Sequence, residues 1–221
     1  MITVHHLNNS RSQRVLWLLE ELGTKYEVKY YERDKDMRAP KELKAVFPLG
    51  KSPVITDGGT TVAESAVIID YLIDKYGGGR FKPALGTPDH LRYNYFLHYA
   101  EGSVMPPLLV SLIFNKIQGP PVSFFMRPIT KAIALAVKKQ FYGPELKSHF
   151  DFLESEMQGR EWLVGKDLTG ADFQMSFIME AGKTRGQLDS RPNLKRYLER
   201  IHARPAYKKA IEVGGPFSLS M

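Results

Sequence analysis

The periodicity of this chain changes near residue 77, and that change limits the folds open to it. Before it, strand and helix patterns alternate. Ile2 to Leu7 reads as a strand. Ser12 to Leu22 reads as a helix, with Val15, Leu18, Leu19 and Leu22 on one face. Tyr26 to Tyr31 alternates apolar and polar positions, as a half-buried strand does. A short helix near Pro40 to Val46 follows. Val54 to Thr56 and Thr60 to Val62 are then β-prone runs joined by Asp57-Gly58-Gly59, a hairpin signal. Val67, Ile68, Tyr71 and Leu72 fall at helical spacing and predict a helix to Tyr76, stopped by Gly77-Gly78-Gly79. The stretch from Lys82-Pro83 to Pro88 reads as a linker.

From residue 88 onward the patterns are helical only. A long helix carries Leu91, Tyr95, Leu97, His98 and Glu101 and is expected to break near Met105-Pro106-Pro107. Gln118-Gly119-Pro120-Pro121 marks a loop. Phe141 to Met157 is a further helix with Leu146, Phe150 and Leu153 on one face. Thr169 and Asp172 approximate a capping box at the start of the next. Two shorter helices are expected around Asn193 to His202 and Ala206 to Glu212. The predicted domains are residues 1–79 and 87–221.

Chemistry concentrates in Gly50-Lys51-Ser52-Pro53-Val54-Ile55 and in Glu64-Ser65. Proline is tolerated at a strand start because it removes only one backbone donor. A cis Ser52-Pro53 bond would turn the chain and present the Ser52 N–H and C=O outward. The helix after Glu64 offers free N–H groups and a partial positive charge, which favour a carboxylate. Glu64 itself could pair with an ammonium. A ligand bearing both an α-amino and an α-carboxylate group satisfies both. The simpler alternative is that Glu64-Ser65 cap the helix.

These segments resemble the glutathione-binding half of a cytosolic glutathione transferase. The likeness extends through Asn9-Ser10-Arg11-Ser12-Gln13-Arg14, Arg38-Ala39-Pro40, Glu101-Gly102-Ser103-Val104-Met105-Pro106-Pro107 and Gly170-Ala171-Asp172-Phe173. Those runs are similar to a fungal subfamily typified by a membrane-associated yeast member. The resemblance implies an α/β N-terminal thioredoxin-like domain followed by an all-α C-terminal helical-bundle domain. It also implies a homodimer, with glutathione as co-substrate and no other cofactor. Peripheral membrane association stays open on the same ground.

The chain has no cysteine, which excludes disulfides, a thiolate zinc site and a cysteine nucleophile. No metal site is expected. No apolar run approaches the roughly 20 residues of a membrane span. The start of the chain lacks the pattern of a signal peptide, so the expected location is the cytoplasm. The net charge of +7 includes 24 acids scattered among the bases. That pattern fits solvated helix faces and attraction of anionic ligands better than a nucleic-acid partner.

The reactive thiol must therefore belong to the ligand. A free thiol has a pKa near 8.5, so lowering it by about two units needs about 2.7 kcal/mol. One hydroxyl hydrogen bond to an anion contributes about 1.5–3 kcal/mol. The positive end of a helix adds about 0.3–1 kcal/mol. Ser10, before the first helix, is the leading donor, with Asn9 and then Ser12 as alternatives. In the serine classes of this family the serine falls at Asn9, one step earlier. Arg11 would add a positive field, or else be a solvated arginine.

The resemblance assigns Ser52 to backbone pairing with the cysteinyl unit and Pro53 to shaping that edge. It assigns Glu64 and Ser65 to the γ-glutamyl end. Lys51 and Lys44, and more weakly Lys41, are candidates for the glycyl carboxylate. An apolar electrophile would lie against Tyr99, Met105 and Phe114, unless these are plain core. Two other readings share the scaffold: a glutathione-dependent peroxidase, and a non-catalytic ligand-binding protein. The polar run Asn9-Ser10-Arg11-Ser12 argues against the last.

Overall fold

The computed structural model describes residues 1–34 and 38–215. Strands β1 (Ile2–Leu7), β2 (Tyr26–Tyr31), β3 (Val54–Asp57) and β4 (Thr60–Ala63) form one sheet in the order β2-β1-β3-β4. β1 pairs with β2 in parallel, Val4 opposite Val28, and with β3 antiparallel, Val4 opposite Ile55. Helices α1 (Ser12–Leu22), α2 (Lys41–Val46) and α3 (Ser65–Tyr76) complete this half. The order β-α-β-α-β-β-α is the one the sequence predicts.

The helical half comprises α4 (Pro88–Tyr99), α5 (Met105–Lys116), α6 (Arg127–Val137), α7 (Gly143–Glu156), α8 (Gly170–Thr184), α9 (Pro192–Ala203) and α10 (Pro205–Gly214). The expected break near Met105-Pro106-Pro107 is corrected. The chain passes from α4 to α5 through a π-helical turn over Ala100–Val104, and the prolines stand at the first positions of α5. There a missing N–H costs nothing, so proline starts a helix rather than breaking one. Residues 138–142 form a second π-helical turn, and α7 therefore begins at Gly143 rather than at Phe141. α6 has no counterpart among the predicted helices.

The two halves share one core along α1. Val15, Leu16, Trp17, Leu18 and Leu19 are all fully buried, because α1 lies between the sheet and the helices α8 and α10. Ser12, Gln13 and Arg14 are buried as well, so a single predicted apolar face understates how much of α1 is enclosed. Trp17 packs edge-on against Phe173 of α8 at 4.4 Å and Tyr207 of α10 at 5.5 Å between ring centres.

Asp172 is fully buried at the start of α8. Its carboxylate accepts from the Thr169 and Leu163 N–H groups at 2.9 and 3.0 Å and from the Tyr197 hydroxyl at 2.8 Å. Beside it Gly170 sits so close to α3 and α4 that a Cβ would meet Tyr93, Ile69 and Ile73. These contacts fix where α8, and hence Phe177, stands relative to the sheet.

Asp57, at the end of β3, accepts from Lys75 at 2.6 Å and from the hydroxyls of Tyr76 and Tyr71 at 2.5 and 2.9 Å. The bond from Lys75, then that from Tyr76, pulls its pKa down to about 2. A folded pKa below the unfolded value of about 3.9 contributes stability above that pH, lost as pH falls through the folded value. Asp57→Asn is therefore expected to lower Tm at pH 7, and the difference from wild type to shrink between pH 4 and pH 2 in a thermal melt.

Candidate active site

β1 ends at Leu7 and the chain turns through Asn8 to Arg11 into α1. Asn9 takes a positive φ of 48°, which sets the hand of that turn. Ser10 and Ser12 follow. Ser10 Oγ accepts the Ser12 N–H at 3.2 Å, so Ser10 rather than Ser12 satisfies an open donor of α1. Ser10 Oγ also lies 2.7 Å from Ser12 Oγ and 3.3 Å from Ser52 Oγ. Asn9, Ser10 and Arg11 line a cavity of ≈ 610 Å³ between the sheet and the helices α5 and α8. Ser12 does not line it. It is fully buried behind Ser10, bonded to the His6 ring, so it is corrected as a thiol-contacting candidate.

A second, smaller cavity of ≈ 280 Å³ adjoins the first, sharing Arg11, Leu49, Lys51 and Ser52. Its far wall is Pro53, Glu64 and Ser65. The Ser52–Pro53 bond is cis. Glu64 occupies φ 69°, ψ 125° ahead of α3 and makes no capping bond, which removes the simple capping alternative for its side chain. The first turn of α3 thus keeps open N–H groups beside this cavity. A glutamate at positive φ costs about 1–3 kcal/mol, a strain typical of functional sites.

Lys44 and Lys51 line the large cavity. Gly50, at φ 57°, lets the loop close over the Lys44 stem, which a Cβ there would strike. Of the apolar candidates, Met105 lines the cavity, with Leu108, Leu112 and Phe177. Tyr99 and Phe114 do not, and both are corrected. Tyr99 is buried, its hydroxyl bonded to His149 Nδ1 at 2.7 Å, and Phe114 packs against the core.

Two residues of the site lay outside the sequence candidates. Arg14 is buried in α1, yet its guanidinium donates to the Gln174 carbonyl at 2.6 Å, to Ser65 Oγ at 2.9 Å and to Glu101 at 2.5 Å. Glu101 sits on the π-helical turn and also pairs with Arg11 at 2.9 Å. Burial lowers the Arg14 pKa to about 10, partly offset by Glu101, so it stays cationic at neutral pH. Burial would raise Glu101, but Arg14 and Arg11 outweigh it and hold the carboxyl below its usual range. The sequence signal for Arg14 was its place on the same helix face as Trp17 and Leu18. Arg11 is neither free nor simply solvated: it bridges both cavities, over the Phe177 ring at 5.0 Å.

Two family models match the chain: "Glutathione S-transferase, N-terminal domain" over residues 1–74, and "Glutathione S-transferase, C-terminal domain" over residues 120–212. Glutathione S-transferase 3 of Schizosaccharomyces pombe is 37% identical over 96% of this chain and 87% of its own length. Glutathione S-transferase 1 of Saccharomyces cerevisiae is 32% identical over 98% of both. The crystal structure of a glutathione S-transferase from Actinobacillus pleuropneumoniae superposes with a TM-score of 0.76 at 38% identity, covering 97% of this chain and 93% of that one. With both halves matched, and relatives aligned along almost its whole length, the chain is an enzyme of the glutathione S-transferase family.

Proposed function

We propose that the two adjoining cavities seat one glutathione molecule and that Ser10 stabilises its thiolate for attack on an apolar electrophile. The observation that carries this is the row Glu64, Ser65, Ser52 and Ser10, which spans the small cavity and enters the large one. The γ-glutamyl ammonium pairs with Glu64, and its carboxylate meets Ser65 and the open end of α3. Ser52 offers its main chain to the cysteinyl unit as a strand edge would. Lys51 and Lys44 face the glycyl carboxylate. The sulfur then falls at Ser10, with Asn9 as the alternative donor. Met105, Leu108 and Phe177 form the apolar wall beyond it. That cavity has no carboxylate among its described lining residues, while Lys116 and Arg185 stand at the far ends of α5 and α8. Neutral or anionic electrophiles suit such a wall better than cationic ones.

Glu64 gives the direct test. Glu64→Gly relieves the positive φ that glutamate bears, so the folded protein is expected to gain about 1 kcal/mol. The same change removes the ammonium partner, so retention on immobilised glutathione is expected to be lost. Wild-type retention by Glu64→Gly would contradict the seating proposed here. Rates with an aryl halide and with an organic hydroperoxide, measured on one preparation, separate conjugation from peroxidase turnover. The proposal extends to a cytoplasmic homodimer, for which exposed Ile129 and Ile133 of α6 supply apolar surface.

A further inference from the structure

Ser10 is the cavity end of a hydrogen-bonded line that runs inward. Ser10 Oγ lies 2.7 Å from Ser12 Oγ, Ser12 Oγ lies 2.9 Å from His6 Nδ1, and His6 Nε2 lies 2.9 Å from the Gly214 carbonyl oxygen. All three side chains are buried, with exposures of 5%, 0% and 3% from Ser10 to His6. Competing partners are more distant: Ser52 Oγ at 3.3 Å from Ser10 and the Leu7 carbonyl at 3.4 Å from Ser12.

The inner end fixes the polarity of the line. A carbonyl only accepts, so Nε2 carries the hydrogen, and in a neutral ring Nδ1 is then an acceptor. Ser12 must donate to Nδ1, and Ser12 Oγ therefore accepts the Ser10 proton. At rest the 2.7 Å bond takes the Ser10 hydrogen to Ser12 in preference to Ser52 at 3.3 Å, the Ser12 N–H occupies one Ser10 lone pair, and the other is left for the cavity. A hydroxyl set this way receives a proton from a thiol.

We propose that His6 is the terminal proton acceptor for the thiol of bound glutathione, reached through Ser10 and Ser12. Three protons each move by one bond. The S–H bond breaks and its proton joins Ser10 Oγ, while the electron pair stays on sulfur. The proton formerly on Ser10 joins Ser12 Oγ. The proton formerly on Ser12 joins His6 Nδ1. No oxidation occurs. The products are a thiolate that now accepts from the Ser10 hydroxyl and an imidazolium at the buried end. When the sulfur becomes a thioether, the line runs back and the proton leaves Ser10 into the cavity. The electrophile's leaving group departs with its own electron pair.

The surroundings suit an acceptor that holds a proton briefly. Among the described residues, Tyr30 of β2 stands edge-on to the His6 ring at 5.9 Å. α1 contributes Ser12, and α10 the Gly214 carbonyl. Burial lowers the proton affinity of the ring, and the Gly214 carbonyl opposes that effect. At a pH low enough to protonate His6 in the free enzyme, the line has no acceptor. Rate is therefore lost toward acid.

This relay rests on the glutathione reading above, and the test separates the two. The variants are His6→Asn, whose amide oxygen accepts from Ser12 but takes no proton, and Ser12→Ala, which interrupts the line. In the intact protein one measures the ultraviolet absorbance of bound thiolate against pH, kcat/KM with an aryl halide against pH, and affinity for S-methylglutathione. Both variants are expected to raise the apparent thiol pKa by about one unit, lowering kcat/KM about tenfold at pH 6.5 and little at pH 9. S-methylglutathione, with no proton to lose, is expected to bind as to wild type. In a Ser10→Ala background His6→Asn should add no further loss. An unshifted thiolate titration in either folded variant overturns the relay, as does a fall in S-methylglutathione affinity that matches the fall in rate. If Ser10→Ala is impaired while His6→Asn is not, only the relay fails. A fully active Ser10→Ala overturns the relay and moves the thiolate donor to Asn9, while the seating of glutathione stands or falls on Glu64→Gly.

Discussion

Ser10→Ala is expected to lower kcat with a model aryl halide by roughly 10- to 100-fold at pH 6.5, while the KM for glutathione changes by less than about threefold. The magnitude follows from one hydroxyl bond to an anion, about 1.5–3 kcal/mol, converted at 1.36 kcal/mol per tenfold in rate. The split follows from geometry. The small cavity that would hold the γ-glutamyl unit is lined by Pro53, Glu64 and Ser65, not by Ser10. Ser10 enters only where the sulfur would lie. The substitution also removes the acceptor for the Ser12 N–H, a capping loss of about 0.5–2 kcal/mol, so a thermal melt must show that the variant is folded at the assay temperature. A folded Ser10→Ala with wild-type kcat would transfer the donor role to Asn9, whose side chain stands beside it in the cavity wall.

Local signals carried most of the N-terminal half. The hairpin turn at Asp57-Gly58-Gly59, the helix stop at Gly77 and the alternation in β2 each depend on a few adjacent residues, and each element formed where they placed it. The helical half was less legible wherever geometry departed from a 3.6-residue repeat. The π-helical turn at Ala100–Val104 inserts one extra residue into the repeat, and Pro106-Pro107 masked it by suggesting a break. The candidate site divided in the same way. Residues on the loops, such as Ser52 and Glu64, were visible from turn chemistry and helix-start chemistry. Tyr99 was misplaced because an aromatic residue on a helix carries no mark of which neighbour it faces, and here it faces His149. Arg14 and Glu101 are 87 residues apart in sequence and meet only through the packing of α1 against the turn after α4. No local pattern encodes that pairing.

Arg14→Met is expected to destabilise the fold by about 3 kcal/mol and to raise the KM for glutathione more than it lowers kcat. Methionine fills much of the same space, so cavity formation is not the main cost. The cost is polar. Loss of the guanidinium strips the Gln174 carbonyl and Ser65 Oγ of their donor and leaves Glu101 with Arg11 as its cationic partner. Removing one member of a fully buried pair costs about 3–5 kcal/mol. Glu101 keeps a third of its side-chain surface exposed, which places the expectation at the lower end. At about 2–4 °C per kcal/mol for a chain of this size, Tm is expected to fall by about 6–12 °C. The loss has a pH signature with a definite sign. Because Arg14 and Arg11 hold the Glu101 pKa below its unfolded value, their pairing contributes stability above about pH 4 and loses it as pH falls through the folded value. The Tm difference between wild type and Arg14→Met should therefore narrow below pH 4, without vanishing, since the bonds to Gln174 and Ser65 do not titrate. The KM effect arises because Ser65 is held by Arg14, and in the proposed seating Ser65 meets the γ-glutamyl carboxylate. A variant within 2 °C of wild type and unchanged in KM would show that Arg14 neither braces the two halves nor positions Ser65.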